Sequence, residues 1–452
     1  MKRFSILDYG AHSGMDELQT EAIQKCIDAC FSAGGGVVEI PQGDYRTGGL
    51  RLRSGVTLHL LENARLFGSR SPEDYGAFLA DALEPVADED RTDSAWSPAD
   101  ERIDKRFFVK CASRWNNALI RAIDARNLAI IGEPGAYIDG CDCFDERGEE
   151  HYRGPHGINF HRCENIVFRN YEIEIRNTAN WAHALFDCRN VVMQNVHAVA
   201  GHDGIHITGC DNVTIEDCVF ETGDDCIAGI DNINVTARRC ELNTACSGLR
   251  FGGTNALFEK CHFYGPAKYL FRGSLTPEEK RSGKPAGGSH RYNMLSLMTY
   301  YADFMRDIRM EPGSIVIRDC TAENVDRFLH YNFSSNEPWQ RNRPLSGIVF
   351  DRVRAIGVRL PLTAYGSEEQ PLALTLRDVS VEFAENARAP FMHLAYWDAV
   401  RMTRVRIRGV EAPMLIKAWS DGRPVELENC DLGGYAGEIF ARTDEPFVCT
   451  PI

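Results

Sequence analysis

Residues His202–Gly229 read "HDGIHITGCDNVTIEDCVFETGDDCIAG". The stretch holds seven acidic residues, among them the adjacent pair Asp224–Asp225, in β-branched sequence that favours strands. Inside it sits the phrase "CDNVTIEDCVFE": a turn, an Asn, then alternating apolar residues. The same phrase recurs as "CENIVFRNYEIE" from Cys163, "CRNVVMQNVHAV" from Cys188, "IDNINVTARRCELN" from Ile230 and "GTNALFEKCHFY" from Gly253. Aligned on Asn165, Asn190, Asn212, Asn232 and Asn255, the copies are 25, 22, 20 and 23 residues apart. "ARNLAIIGEPGAYIDG" from Ala125 is an earlier copy, and "GSIVIRDCTAEN", "LALTLRDVSVEF" and "VRMTRVRIRG" are later ones.

A repeat of that length, built from short alternating strands with Asn, Asp and Gly at the corners, predicts a solenoid. The units lack the Leu spacing and the helical half of a leucine-rich repeat. The reading is therefore all-β: a parallel β-helix whose coils lie ~4.8 Å apart, with inward positions stacked into ladders such as Cys218–Cys240–Cys261. "DELQTEAIQKCIDACFSAGGG" predicts an amphipathic helix with Ile23, Ile27 and Cys30 on one face, capping the first coil. "GGGVVEIPQGDYRTGGLRLRSGVTLHLLENARLFGS" predicts three short strands. Two stretches break the repeat and read as inserted loops, 70–107 and 265–312. One β-helix domain, 1–452, would then comprise the cap and first coils (1–69), central coils (108–264) and C-terminal coils (313–452).

The chain has 452 residues, 44% of them hydrophobic and 25% charged, as in ordinary globular proteins. Its net charge of −15 argues against general binding to nucleic acid or anionic membrane. No apolar run reaches the roughly 18 residues of a membrane span. The N-terminus "MKRFSILDYGAHSG" lacks the apolar core of a signal peptide, which predicts a cytoplasmic protein. Most of the sixteen cysteines are then expected to be buried, reduced thiols. No Cys/His cluster has zinc-site spacing, and neither a metal nor another cofactor is expected.

Asp203 precedes Asp224 by 21 residues, one coil, which predicts near neighbours on adjacent coils. Neighbouring side chains on a regular strand face opposite ways, and burying an unpaired carboxylate is costly. A turn or bulge at Gly223 would point both Asp224 and Asp225 outward. Three carboxylates would then share one patch, where like charge disfavours joint ionisation. One protonated and one ionised carboxyl is what cleavage of a glycosidic bond needs. Asp211, Asp217 and Asp231 read as corner residues.

These segments carry a resemblance. "FSILDYGAHSG", the capping helix and "HDGIHITGCDNVTIEDCVFETGDDCIAG" are similar to glycoside hydrolase family 28, the polygalacturonase family, over about residues 4–265. The N-terminal part is shared with other β-helix proteins, phage tailspikes included. The resemblance implies a right-handed parallel β-helix and single-displacement, inverting hydrolysis. By position it implies that Asp224 is the general acid and that Asp203 and Asp225 activate water. Two departures stand out. The family's Gly-His-Gly segment is replaced by "ACSGLRFGG", with Ser247 where His is expected. The family's Arg-Ile-Lys segment has no counterpart; Arg250, Lys268, Arg272, His290, Arg291 and Tyr292 are the candidates to replace it. Arg250 or Arg272 would suit a uronate carboxylate, since Arg binds carboxylates through two parallel bonds.

Other residues stay open between two roles. His202 either orients Asp203 or binds substrate. Trp181 offers either a sugar-stacking face or a cover for the coil. His206 is expected to face away from Asp203. The leading expectation is an inverting glycoside hydrolase, exo-acting on pectin-related or other plant-cell-wall oligosaccharides. The alternatives are a uronate lyase or epimerase and a non-catalytic glycan-binding β-helix.

Overall fold

The computed structural model describes residues 2–75, 117–147, 152–175, 180–282, 290–301, 309–333, 345–420 and 422–445, without the side chains of Arg272 and Arg281. The fold is a right-handed parallel β-helix with an N-terminal capping helix. Its strands group into two compact units, Met1–Asp224 with Tyr269–Arg291, and Asp225–Lys268 with Tyr292–Ile452. Most of the 70–107 insertion lies outside the described residues. No helix among those described is long and apolar enough to cross a membrane.

In the first unit each coil crosses three walls, and equivalent strand segments pair in parallel. A first wall stacks Ala118–Ile123, His156–His161, His183–Phe186 and Ile205–Thr208. A second stacks Arg126–Gly132 with the first halves of Glu164–Ile175 and Arg189–Ala200, then Asp211–Glu216. A third stacks Tyr137–Asp139 with the second halves of those long strands, then Val219–Thr222. Second-wall strands alternate as the pleat requires, with Ile166, Phe168, Val191, Met193, Val213 and Ile215 inward. First-wall strands are buried on both faces. The second unit repeats the scheme, for example Ser247–Glu259 against Met294–Tyr300 and Gly313–Arg318.

Thr20–Ser32 is the capping helix, burying Ile23, Cys26, Ile27 and Cys30. It ends where Gly34 and Gly35 take φ of 88° and 96°. Five strands, not three, follow between Gly36 and Gly68, because Pro41, Gly43, Gly48 and Gly55 each turn the chain. The second insertion is shorter than expected: Met294–Tyr300 is a strand that pairs with Ser247–Glu259. Its "MLSLMTY" is apolar on both faces, so it lacks the alternation that marks a half-exposed strand.

Four successive second-wall strands open on an Asn in the left-handed region. Asn127, Asn165, Asn190 and Asn212 have φ of 55–58°. Asn165 Nδ2 donates to Asn127 Oδ1 at 2.9 Å, Asn190 to Asn165 at 3.0 Å, and Asn212 to Asn190 at 3.1 Å. In the second unit Asn255 donates to Asn234, not to Asn232. Asn234 directly precedes the inward Val235, as Asn212 precedes Val213, so the true interval from Asn212 is 22 residues. Cysteines stack too. In the first unit the Arg189 and Asp211 N–H groups bond to the carbonyls of Cys163 and Cys188; in the second, His262 and Thr321 bond to Cys240 and Cys261. The Cys240–Cys261 step of the expected ladder is present and continues to Cys320, and Cys163–Cys188–Cys210 form another ladder. None of the described cysteines is in a disulfide, and burial keeps the Cys188 thiol protonated.

His183 occupies an inward first-wall position. Its Nδ1 lies 3.2 Å from the Gly204 carbonyl, which can only accept, so Nδ1 carries the proton and Nε2 accepts from Tyr171 Oη at 2.9 Å. Burial lowers its pKa to about 4.

Two outcomes are expected. Asn190→Ala loses an amide that both donates and accepts and strains a left-handed backbone, costing about 2 kcal/mol in denaturant unfolding; Asn190→Gly, which tolerates that φ, costs less. Secondly, His183 is neutral when folded and takes up a proton when unfolded below its ordinary pKa. Stability is therefore complete above pH ~6.5 and falls as pH drops toward ~4, by about 2 kcal/mol between pH 7 and 5. Denaturation of His183→Gln at both pH values should show a correspondingly shallower loss.

Candidate active site

Both acidic segments lie in bends that lead into first-wall strands. Gly201–Gly204 turns the chain between Arg189–Ala200 and Ile205–Thr208, and Gly223–Cys226 turns it between Val219–Thr222 and Ile227–Arg238. Neither Asp203 nor Asp224 is therefore bound to strict strand alternation. Gly223 is required by space: a Cβ there would sit 2.5 Å from the Leu270 carbonyl oxygen and 2.6 Å from that of Gly201. The register entering the bends is 22 residues rather than 21, since Ala200 pairs with Thr222 and Gly223 N–H donates to the Ala200 carbonyl. Counted from that rung, Asp224 follows His202 by one coil, and Asp203 lies one residue further along its own bend. The carboxylates do not line an open face: Asp203, Asp224 and Asp225 are 4%, 4% and 1% exposed.

Asp203 Oδ2 accepts from His206 Nδ1 at 2.8 Å, and both side chains are 6% exposed. This corrects the expectation that His206 faces away. The bend breaks the two-residue alternation, so residues three apart meet. The His206 ring lies flat on the Trp181 indole, with centroids 3.8 Å apart and planes at 5°. Trp181 is 4% exposed and that face is taken, so it covers the coil there rather than presenting the face to a sugar. His202 is fully buried; its Nε2 lies 3.1 Å from Tyr152 Oη and the two rings stack. Lys280 sits 4.9 Å above that Tyr152 ring.

In the second unit Asp225 Oδ1 accepts the Ser247 N–H at 3.1 Å, and Arg250 Nη1 stands 3.5 Å from Oδ2. Both contacts stabilise negative charge on Asp225. Ser247 is buried, and its hydroxyl pairs with Thr299 Oγ1 at 3.0 Å. The Arg250 guanidinium lies 4.5 Å over the Tyr301 ring. Ser247 and Arg250 thus surround a carboxylate of their own unit.

The remaining candidates are dispersed. Lys268 is exposed and donates its backbone N–H to Asn243. Tyr292 is 46% exposed. His290 is buried against Glu279, at 3.1 Å. Glu279 also closes a capping box with Thr276, so His290 fastens the insertion's short helix. Arg272 opens a 3-10 turn, and its side chain lies outside the described set. Sequence reasoning missed Tyr152 and Thr299, which nothing local to their segments marks. An open cavity of about 790 Å³ lies at another corner of the first unit, lined by Tyr137, Asn170, Glu172, Asn195 and His197 among others, and by none of the three acids.

Residues 109–247 match the sequence model of the glycosyl hydrolases family 28. The chain is 27% identical over 256 residues to the exo-poly-alpha-D-galacturonosidase of Dickeya chrysanthemi, covering 50% of this chain and 41% of that protein. It is 35% identical over 95 residues to a polygalacturonase of Malus domestica, covering 19% and 20%. The chain thus spans less than half the length of these relatives. The hyperthermoactive exopolygalacturonase of Thermotoga maritima shares the fold, with a TM-score of 0.61 at 18% identity over 90% of this chain and 92% of that one. The matched residues include Asp203, Asp224, Asp225 and Ser247, so the central part of the chain resembles glycosyl hydrolase family 28.

Proposed function

We propose that this chain is an inverting glycoside hydrolase that removes sugars from the ends of pectin-related oligosaccharides. Asp224 is the general acid, giving its proton to the leaving glycosidic oxygen. Asp203 and Asp225 hold and deprotonate the attacking water on the opposite side of the sugar. The observation that carries this reading is the company each base keeps. Asp203 accepts from an imidazole, and Asp225 accepts a backbone N–H beside a guanidinium. Such contacts favour the ionised form, which a base requires. The acid role is given to Asp224 by the resemblance of its Gly-Asp-Asp-Cys segment to that of the family.

Arg250 is engaged by Asp225 and Tyr301, which supports a role in holding the base rather than in gripping a uronate. The substrate-gripping groups then come from the replaced segment, with Lys268 and Tyr292 its exposed members.

The test is hydrolysis of oligogalacturonides and other plant-cell-wall oligosaccharides, followed by NMR of the first-formed anomer. Inverted monosaccharide or disaccharide is expected. Asp224→Asn should lower kcat by at least about 100-fold with unchanged thermal unfolding. Retained configuration, an unsaturated product absorbing in the ultraviolet, or a fully active Asp224→Asn enzyme each refutes the assignment.

A further inference from the structure

We infer that His206 is a positioning residue for Asp203, an inference that rests on the hydrolase reading above. It follows from contacts made within one unit. Asp203 is gripped twice: its carbonyl accepts the Ala182 N–H at 3.0 Å, and its Oδ2 faces His206 Nδ1 at 2.8 Å. An ionised carboxylate only accepts, so Nδ1 carries the proton. Hydrogen bonding alone would let the imidazole tilt. The indole of Trp181 removes that freedom, because the two rings are nearly coplanar in orientation and 3.8 Å apart. Trp181 is itself fixed by the preceding coil: its N–H donates to His156 Nδ1 at 3.2 Å, and its carbonyl accepts the Gly157 N–H at 3.0 Å. The strand partner of His206 is Ala184, whose methyl group is the smallest side chain that could occupy that rung.

The consequence is a carboxylate whose rotation is restrained at Oδ2. In the hydrolytic step, water oxygen bonds to the anomeric carbon as the glycosidic C–O bond breaks. Asp224 transfers its proton to the leaving oxygen, and the Asp203 carboxylate takes one from the water. His206 exchanges no proton in this sequence. It keeps Asp203 from rotating and supports its charge until the proton arrives.

Two substitutions separate positioning from packing. His206→Phe keeps a ring for Trp181 and removes the donor. His206→Asn keeps an N–H at similar reach and removes the ring. On oligogalacturonide, His206→Phe should lower kcat about 10- to 100-fold, the range carried by one hydrogen bond to a charged group, with KM within about threefold. Its thermal midpoint should stay near wild type. His206→Asn should recover most of the lost kcat. Unchanged kcat in His206→Phe, or an Asn variant as slow as the Phe variant, overturns the inference. A second arm needs no turnover: in the substrate-free protein, the hydrogen-bonded Nδ1–H proton of His206 should resonate downfield, move upfield in Asp203→Asn and hold its place in Asp224→Asn. A signal indifferent to Asp203→Asn refutes the pairing. A wild-type enzyme that releases no inverted sugar, with that signal still responsive, refutes the hydrolase reading and leaves the pairing standing.

Discussion

Each coil must stop one strand and start the next at the same place as its neighbour, and a left-handed residue at the corner enforces this. Asn serves there because its short amide lowers the cost of positive φ and bonds to the Asn of the coil before it. A slip of one residue would turn Ile166, Val191 and Val213 to solvent together, so the corner stack and the core fix the same register. Every later feature inherits it. The bends carrying the acids, the flat pairing of His206 with Trp181, and the inner grip of His183 on the Gly204 carbonyl all depend on that register holding.

Much of this is written in the chain. Periodicity, corner Asn residues and the amphipathic cap reveal the solenoid, because a repeated local rule leaves a repeated local mark. Other features lie beyond local pattern. Asn232 also sits beside an apolar residue, and only the step to Val235 identifies Asn234 as the equivalent corner. Met294–Tyr300 is buried on both faces and so shows no alternation. His206 meets Asp203 because strand alternation does not carry through a bend. The contacts of His202 with Tyr152 and of Ser247 with Thr299 join residues 50 and 52 positions apart, and no local pattern marks such pairs.

The departures from the polygalacturonase pattern also acquire a physical account. A serine at 247 does not leave Asp225 unsupported, since the support comes from its backbone N–H, which any residue but proline supplies. An imidazole does meet one of the acids, that of His206 within the Asp203 coil. Charge around the acids is thus arranged by a mixture of backbone, imidazole and guanidinium.

Gly223 carries a consequence of its own. With two carbonyl oxygens closer than any β-carbon tolerates, that position is closed to all nineteen other side chains unless backbone moves. One of those oxygens belongs to Leu270, in the insertion, so the inserted segment is moulded to the floor beneath it. A library that randomises the acidic bend would return glycine at 223 whatever sugar is presented, and grafting a longer insertion from a relative would demand that its own chain approach the same spot equally closely.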